Sequence, residues 1–369
     1  MASHKYTRAS SSTMLIGNRM FFRGLVAVFL VTTCVVVYNL SGDHNPKPLT
    51  ILLWTTWSGK ESYPYFKEDV VDSKCPQVCL FTRQRRHLKS SAAILFHGKD
   101  IYLNDMPSYR SPQQRWIFFS LEPPTATSLS MLEKLDELFN MTMTYRQDSD
   151  ITTFYGYTVQ ARKRARVRAK SKEFLRAPKP GAAVWMVSHC KTDSRRETYV
   201  SELQKVLPVD IFGKCGKLVC EPKASDACYQ DAAKNYSFYL SFENSICRDY
   251  VTEKFFRPLL FDLVPVVLGG GDYVSVAPPG SYINALDFRS PAELGKYLKR
   301  VAGDPEWYES FFLWKNHFKL KYEHLGCKLC SKLHSDIASG RTFTYNKFRK
   351  WFLEDARCAN WKQLLHGRA

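Results

Sequence analysis

Acidic side chains are absent from the first 42 residues, and between Gly24 and Leu40 no charged residue of either sign occurs. A chain without charge over that length is about the minimum that crosses a bilayer as a helix. Small residues suited to signal cleavage are also missing at the end of the run, where Val35, Val36, Val37 and Tyr38 stand instead. That argues against a removed leader. Lys5, Arg8, Arg19 and Arg23 precede the run, and basic flanks stay on the cytoplasmic side. The reading is a cytoplasmic tail over 1–23, a transmembrane signal-anchor over 24–40 and a short stem over 41–49, with everything after about Ser41 in the lumen. A span this short suits the thinner membranes of the early secretory route better than the plasma membrane, and the Golgi membrane is the expected location. Internal repeats and low-complexity tracts are lacking too, so fibrous and disordered classes fall away.

What remains is 45% apolar and 14% aromatic in a chain of 369 residues, enough to bury two ordinary domains. The net charge of +18 would suit nucleic acid, but the lumenal placement excludes that partner. Oligomeric state is not legible. Eleven cysteines include Cys34 in the anchor, leaving an even ten on the oxidising side. Cys75/Cys79 and Cys327/Cys330 have the spacing of zinc ligands but stand far apart in sequence for a zinc ribbon. Disulfides are the preferred reading. Asn140-Met-Thr and Asn235-Tyr-Ser are glycan acceptor sequons, while Asn39-Leu-Ser stands too near the membrane.

Short apolar runs alternate with helical stretches from the stem onward. Leu49–Trp54, Ala92–Phe96 and Arg115–Leu121 read as strands, and Met131–Phe139 as an amphipathic stretch. Seven of the eleven residues from Arg162 to Lys172 are basic, within a linker over 161–180. A second block follows, with strands over Ala182–Ser188, Val209–Phe212, Phe238–Phe242 and Val264–Leu268 and helices over Arg195–Leu207 and Tyr250–Leu260. The pattern predicts an α/β chain of two Rossmann-like halves facing a cleft, over 50–160 and 181–333, with a C-terminal extension over 334–369. Residues just past the strands' carboxyl ends are the ones to examine.

The richest segment runs Phe238-Tyr-Leu-Ser-Phe-Glu243-Asn244-Ser-Ile-Cys247-Arg248-Asp249-Tyr250-Val-Thr252-Glu253-Lys254. It reads as a strand that turns polar and enters a helix, whose N-terminus and Lys254 suit a diphosphate. An ordinary capped helix with surface charges fits the pattern equally well. The segment resembles the signature of the α1,3-fucosyltransferases of glycosyltransferase family 10. The likeness continues through Val264-Pro-Val-Val-Leu-Gly269, Ser281-Tyr-Ile with Asp287-Phe288, Tyr145-Arg-Gln-Asp-Ser-Asp150 and Arg115-Trp-Ile-Phe-Phe-Ser-Leu-Glu122. Cys190, Asp210-Ile-Phe-Gly-Lys-Cys215-Gly, Cys220, Cys228 and Cys247-Arg-Asp are similar to the invertebrate and plant branch, which modifies the innermost N-acetylglucosamine of N-glycans.

That resemblance implies a GT-B-type fold and inverting transfer of fucose from GDP-fucose to the 3-hydroxyl of N-acetylglucosamine. No metal is obligatory, with stimulation by a divalent cation left open. Glu122 matches the family's base, Arg196 its diphosphate-binding arginine with Arg195 as the register competitor, and Lys254 its lysine. Glu253 resembles the residue that accepts from the donor ribose, and Asn244 and Tyr250 resemble further donor contacts. The resemblance also implies that the Cys75/Cys79 pair bridges to the Cys327/Cys330 pair, and it leaves the pairing of Cys190, Cys215, Cys220, Cys228, Cys247 and Cys358 open. Asp148-Ser-Asp150 and Gly269-Gly-Gly271 admit metal and phosphate roles, respectively, that the pattern does not favour. Pro123, Ala126 and His189 depart from the family at positions that bear on acceptor identity. A Lewis-type enzyme acting on peripheral N-acetyllactosamine and a catalytically silent glycan-binding relative are the alternatives.

Overall fold

The computed structural model describes residues 48–70, 75–127, 129–161, 172–223, 225–340 and 343–366. The expected tail and anchor, the Asn39 sequon, nearly all of the stem and the basic run up to residue 171 lie outside them. Among the described residues no helix is long and apolar enough to cross a membrane.

A first parallel sheet gathers β1 (Leu49–Leu53), β2 (Cys79–Thr82), β3 (Ala93–His97), β4 (Arg115–Ser120), β5 (Met141–Thr144) and β6 (Ile151–Thr152) in the order β2-β1-β3-β4-β5-β6. Every residue of β4 is buried, because a parallel strand inside a sheet meets helices on both faces. Ile117 and Phe119 enter one core, closed by Leu325, Leu329 and Leu333 of the helix Leu325–Ala338. Trp116 and Phe118 enter the other, closed by Leu132, Leu135, Phe139, Phe348 and Phe352.

A second parallel sheet follows a short antiparallel ribbon made by β7 (Tyr157–Gln160) and the late strand Phe318–Lys321. It consists of β8 (Gly181–Met186), β9 (Val209–Phe212), β10 (Tyr236–Phe242), β11 (Val264–Leu268) and β12 (Ile283–Asn284), ordered β9-β8-β10-β11-β12. Both sheets therefore share one doubly wound order in their first five strands. Each reverses direction at one switch point, β1/β3 in the first and β8/β10 in the second, and such points receive ligands at the carboxyl edge.

Two local expectations shift. The helix expected over Tyr250–Leu260 is a single turn, Glu253–Phe256, followed by a 3-10 turn at Pro258–Leu260. Thr252 caps its start and Pro258 has no N–H to continue it, so Tyr250 and Val251 stay in an extended loop. Over Met131–Phe139 the helix ends at Leu132, and the chain passes through a left-handed Glu137 (φ 62°) while still burying Leu135 and Phe139.

The C-terminal residues are structural. Helix Leu325–Ala338, most of it within the stretch assigned by sequence to the second half, packs on the first sheet. Phe348 and Phe352 complete that sheet's other core, and Trp361 joins the core of the second. Disulfides Cys75–Cys327 and Cys79–Cys330 join the helix to β2 and the residues before it, as the resemblance implies. They close loops of 252 and 251 residues, which restricts the unfolded chain. The remaining six cysteines pair as Cys190–Cys215, Cys220–Cys228 and Cys247–Cys358. His324 and His334 lie beside the first two bridges in ligand-like groups, but the sulfurs there are spent on each other.

One sequon is corrected. Asn140 is buried, its Oδ1 accepts from Trp116 N (2.9 Å) and Arg110 (2.8 Å), and its Nδ2 donates to Phe343 O (2.9 Å). The amide that would carry a glycan is built into the core edge. Asn235 is half-buried at a helix end, with its Nδ2 on Asp231 O at 3.0 Å near the surface.

Candidate active site

The switch point of the second sheet opens into a cavity of about 370 Å³ lined by Ser188, His189, Arg196, Glu253, Lys254 and Arg257, among others. Arg196 begins the helix Arg196–Gln204 and lines this cavity, whereas its cap residue Arg195, left-handed (φ 54°) and exposed, is not among the lining residues. The Arg196 guanidinium donates to Phe242 O at 2.6 Å and His189 O at 3.2 Å, and its buried Nε has no partner. Burial weakens its hold on the proton, and Glu243 is the largest opposing influence. A fixed guanidinium with a spare donor is suited to a bidentate anion.

Glu243 lies just beyond β10, fully buried. It accepts from Thr252 N at 2.9 Å and from Thr252 Oγ1 at 3.0 and 2.9 Å, and faces Lys254 Nζ at 3.5 Å. Burial raises its pKa, with Lys254 the largest counterweight. Lys254 Nζ also donates to Thr252 Oγ1 (3.0 Å) and Glu253 Oε1 (3.0 Å). Desolvation alone would lower its pKa, but Glu243 and Glu253 together raise it, so the ammonium is held charged. Glu253 shows the converse: desolvation pushes up and Lys254 pulls down, for a net lowering that keeps a carboxylate at the mouth.

Glu122 comes from the first sheet, two residues past β4, half-buried. Its backbone is set by Ser120, whose Oγ donates to Glu122 O at 2.9 Å, and by Tyr155 OH on Leu121 O at 2.8 Å. Tyr250 OH lies 3.3 Å from Glu122 Oε2 and 3.2 Å from Asn244 Oδ1. Thr125 Oγ1 meets Ser245 Oγ at 2.7 Å. Burial, reinforced by Tyr155, Glu122, Glu243 and Glu253, keeps the Tyr250 phenol protonated and hence a donor. Glu122 does not line the cavity of Arg196 and Lys254; the Tyr250 it contacts lies in the loop between β10 and the turn that carries Lys254.

Other motifs resolve into scaffold. Asp148 pairs with Arg146 at 2.6 Å, and Asp150 accepts from Thr142 and from Tyr345 OH at 2.6 Å. A side chain at Gly270 would fall 2.4 Å from the Cys247 carbonyl, so the glycines follow from close packing on the 247–251 loop. A larger cavity of about 800 Å³ lined by Asp287, Phe288, Arg289, Trp361 and Lys362 contains none of the groups above. Glu243 and Tyr155 were given no role from sequence, whereas Thr252 was legible as the residue that opens the helix.

A guanidinium and an ammonium at one switch point, with a carboxylate from a second sheet contacting the loop that leads to the ammonium, suit an enzyme that holds an anionic leaving group apart from the atom it activates. Residues 46–156 match the profile described as Fucosyltransferase, N-terminal, and residues 176–351 that of Glycosyltransferase family 10 (fucosyltransferase) C-term. The chain is 36% identical over 349 residues to α-(1,3)-fucosyltransferase C of Drosophila melanogaster, covering 86% of this chain and 82% of that protein. It is 35% identical over 351 residues to the 3-galactosyl-N-acetylglucosaminide 4-α-L-fucosyltransferase FUT3 of Pan troglodytes, covering 89% and 87%. Glycoprotein 3-α-L-fucosyltransferase A of Drosophila melanogaster matches at 32% over 316 residues, 84% of this chain and 61% of that one. A crystal structure of an α1,3-fucosyltransferase with GDP-fucose shares the fold at 16% identity and a TM-score of 0.53, over 83% of this chain and 94% of that one. The chain belongs to glycosyltransferase family 10, the fucosyltransferases, and is an enzyme of that family.

Proposed function

We propose that this enzyme transfers L-fucose from GDP-fucose with inversion to the 3-hydroxyl of N-acetylglucosamine, in a GT-B-type arrangement of two Rossmann-like halves. Arg196 and Lys254 hold the departing diphosphate, Glu253 accepts from the ribose, and Asn244 and Tyr250 complete the donor side. Glu122 takes the proton of the acceptor hydroxyl. As the oxygen attacks the anomeric carbon and the glycosidic C–O bond to GDP breaks, the proton passes to Glu122 and negative charge accumulates on the diphosphate. Preformed cations stabilise that charge without reorganising. The observation that carries the reading is the Tyr250 hydroxyl set between Glu122 and Asn244, which brings the base to the loop that borders the donor cavity.

The innermost core N-acetylglucosamine is the preferred acceptor. The paired Cys190–Cys215 and Cys220–Cys228 support it, since those cysteines carry the likeness to the core-modifying branch. Relatives with Lewis-type names keep peripheral N-acetyllactosamine as the second reading. The apolar run over 24–40 supports a Golgi membrane protein with its catalytic part in the lumen.

The test is to incubate the full chain with GDP-fucose and defined N-glycans and map products by mass spectrometry and linkage-specific digestion. Core product supports the first reading, antenna product the second. Glu122→Gln is expected to lower kcat by about 100-fold to 10,000-fold, with GDP affinity kept. Turnover undiminished in that variant would remove Glu122 as base.

A further inference from the structure

We propose that Trp57 and Tyr65 form an aromatic subsite that receives the acceptor, with a hexopyranose seated in the corner between the two nearly perpendicular rings, its apolar face against one of them, at the carboxyl edge of β1 and β3. The proposal rests on the transfer reading above, and it starts from the switch point that the donor side leaves unused. If the second sheet binds the nucleotide at β8/β10, the equivalent position of the first sheet is β1/β3. That position is occupied by rings. Trp57, four residues past β1, packs tilted on His97 (centroids 4.1 Å apart), the last residue of β3, and stacks on Phe119 of β4 at 5.4 Å. Tyr65 meets Trp57 edge-on at 5.2 Å and Phe119 at 6.4 Å. Tyr63 and Phe66 are buried beneath, whereas Tyr65 remains 37% exposed.

The surface is preorganised. Asp100 accepts from Ser58 N (2.6 Å), Gly59 N (3.0 Å) and His97 Nδ1 (2.5 Å), so one carboxylate fixes both the turn after Trp57 and the imidazole under it. Trp57 and Lys60 pair across that turn, with Ser58 and Gly59 both left-handed (φ 49° and 75°). A ring held this way loses little freedom on binding. Phe119 lies three residues before Glu122, so a sugar on the platform lies next to the carboxylate that would deprotonate it. Burial raises the Tyr65 phenol's pKa, and Glu253 and then Glu122 add to the effect, as expected of a side chain between the two. Among the described residues no cation lies over the Trp57 or Tyr65 ring, which suits a neutral sugar whose C–H face meets the negative face of an aromatic ring.

The experiment is initial-rate kinetics on the full chain with acceptor glycan and GDP-fucose varied separately, for the wild type, Tyr65→Ala and Tyr65→Phe. Tyr65→Ala is expected to raise the acceptor KM about two- to tenfold, leaving donor KM and GDP Kd unchanged. Tyr65→Phe, which keeps the ring, restores the acceptor KM to within about twofold of wild type. An unchanged acceptor KM in Tyr65→Ala, or equal changes for donor and acceptor, overturns the proposal. Should the wild type transfer no fucose at all, the function proposed above fails, and the subsite is judged by saturation-transfer NMR with a free N-acetylglucosamine-terminated N-glycan. Signal lost in Tyr65→Ala and kept in Tyr65→Phe supports it; equal signal in all three, or none in the wild type, overturns it.

Discussion

Thr252→Val removes one hydroxyl and keeps the volume, at a point where three functions meet. That hydroxyl lies within hydrogen-bonding distance of both Glu243 oxygens, accepts from Lys254 Nζ, and caps the turn Glu253–Phe256. Without it the fully buried Glu243 keeps only Thr252 N and the 3.5 Å approach of Lys254. Leaving a buried charged acceptor short of a partner costs about 1–3 kcal/mol, and losing a cap about 1 kcal/mol. The expected destabilisation is therefore about 2–4 kcal/mol, or about 4–8 °C in Tm at about 2 °C per kcal/mol for a body of this size. A pH signature identifies the cause. Glu243 has its folded pKa raised above the ordinary 4.5, so its favourable contribution is complete below that value and is lost as pH rises through the folded pKa. The Thr252 hydrogen bonds favour the ionised form, so removing them raises the folded pKa further and penalises the variant most at high pH. Melting curves of both proteins across pH should diverge upward from the acid side, where only the capping loss remains. A gap that is constant with pH, or Tm values within about 1 °C throughout, would refute the reasoning.

Arg196→Lys leaves one point charge where a guanidinium spans Phe242 O and His189 O with Nε to spare; GDP affinity by calorimetry should fall about tenfold or more. Tyr250→Phe should lower kcat about three- to tenfold, because the hydroxyl's contacts are long, 3.3 and 3.2 Å; an unchanged kcat would separate Tyr250 from the base. For Asp148, burial is outweighed by Arg146 and Arg248 and the pKa lies below 3.8. Its contribution is present above that value and lost as pH falls through the folded pKa, so thermal melts of wild type and Asp148→Asn should converge toward acid and separate above it.

The strands named from sequence were legible because each is a short apolar run bounded by turn residues, and Val209–Phe212 and Val264–Leu268 fall where the sequence places them; Tyr157–Gln160 and Phe318–Lys321, which form the two-stranded ribbon, are only partly buried and carried no such run. The helix ends were not, since tertiary contacts decide them. Val251 packs beside Phe255 and Phe256 while Tyr250 packs on Tyr145 at 4.9 Å, and both are drawn out of a helix that their hydropathy alone would extend. Disulfide partners outside the resemblance had no local signal either. Cys247 and Cys358 are 111 residues apart and meet only because Arg248 N donates to Ala356 O and Ala359 N to Ile246 O.

That last contact explains why residues read from sequence as an extension belong to the site. The tail segment closes a small cluster of Tyr145, Cys247, Tyr250, Ala356 and Cys358, with Tyr145 from the first half of the chain and Tyr250 from the second. Tyr250 can point its hydroxyl at Glu122 and Asn244 because its ring is buried against Tyr145 and within a cluster that the Cys247–Cys358 disulfide and the Ile246–Ala359 bridge hold together. The same tail, four residues before Ala356, buries Phe352 against Phe118 of β4 at 4.9 Å, the strand that delivers Glu122. One peptide stretch thus fixes both the strand behind the carboxylate and the loop in front of it. A pattern of strands cannot reveal such a constraint, because it arises from a segment that contributes to neither parallel sheet.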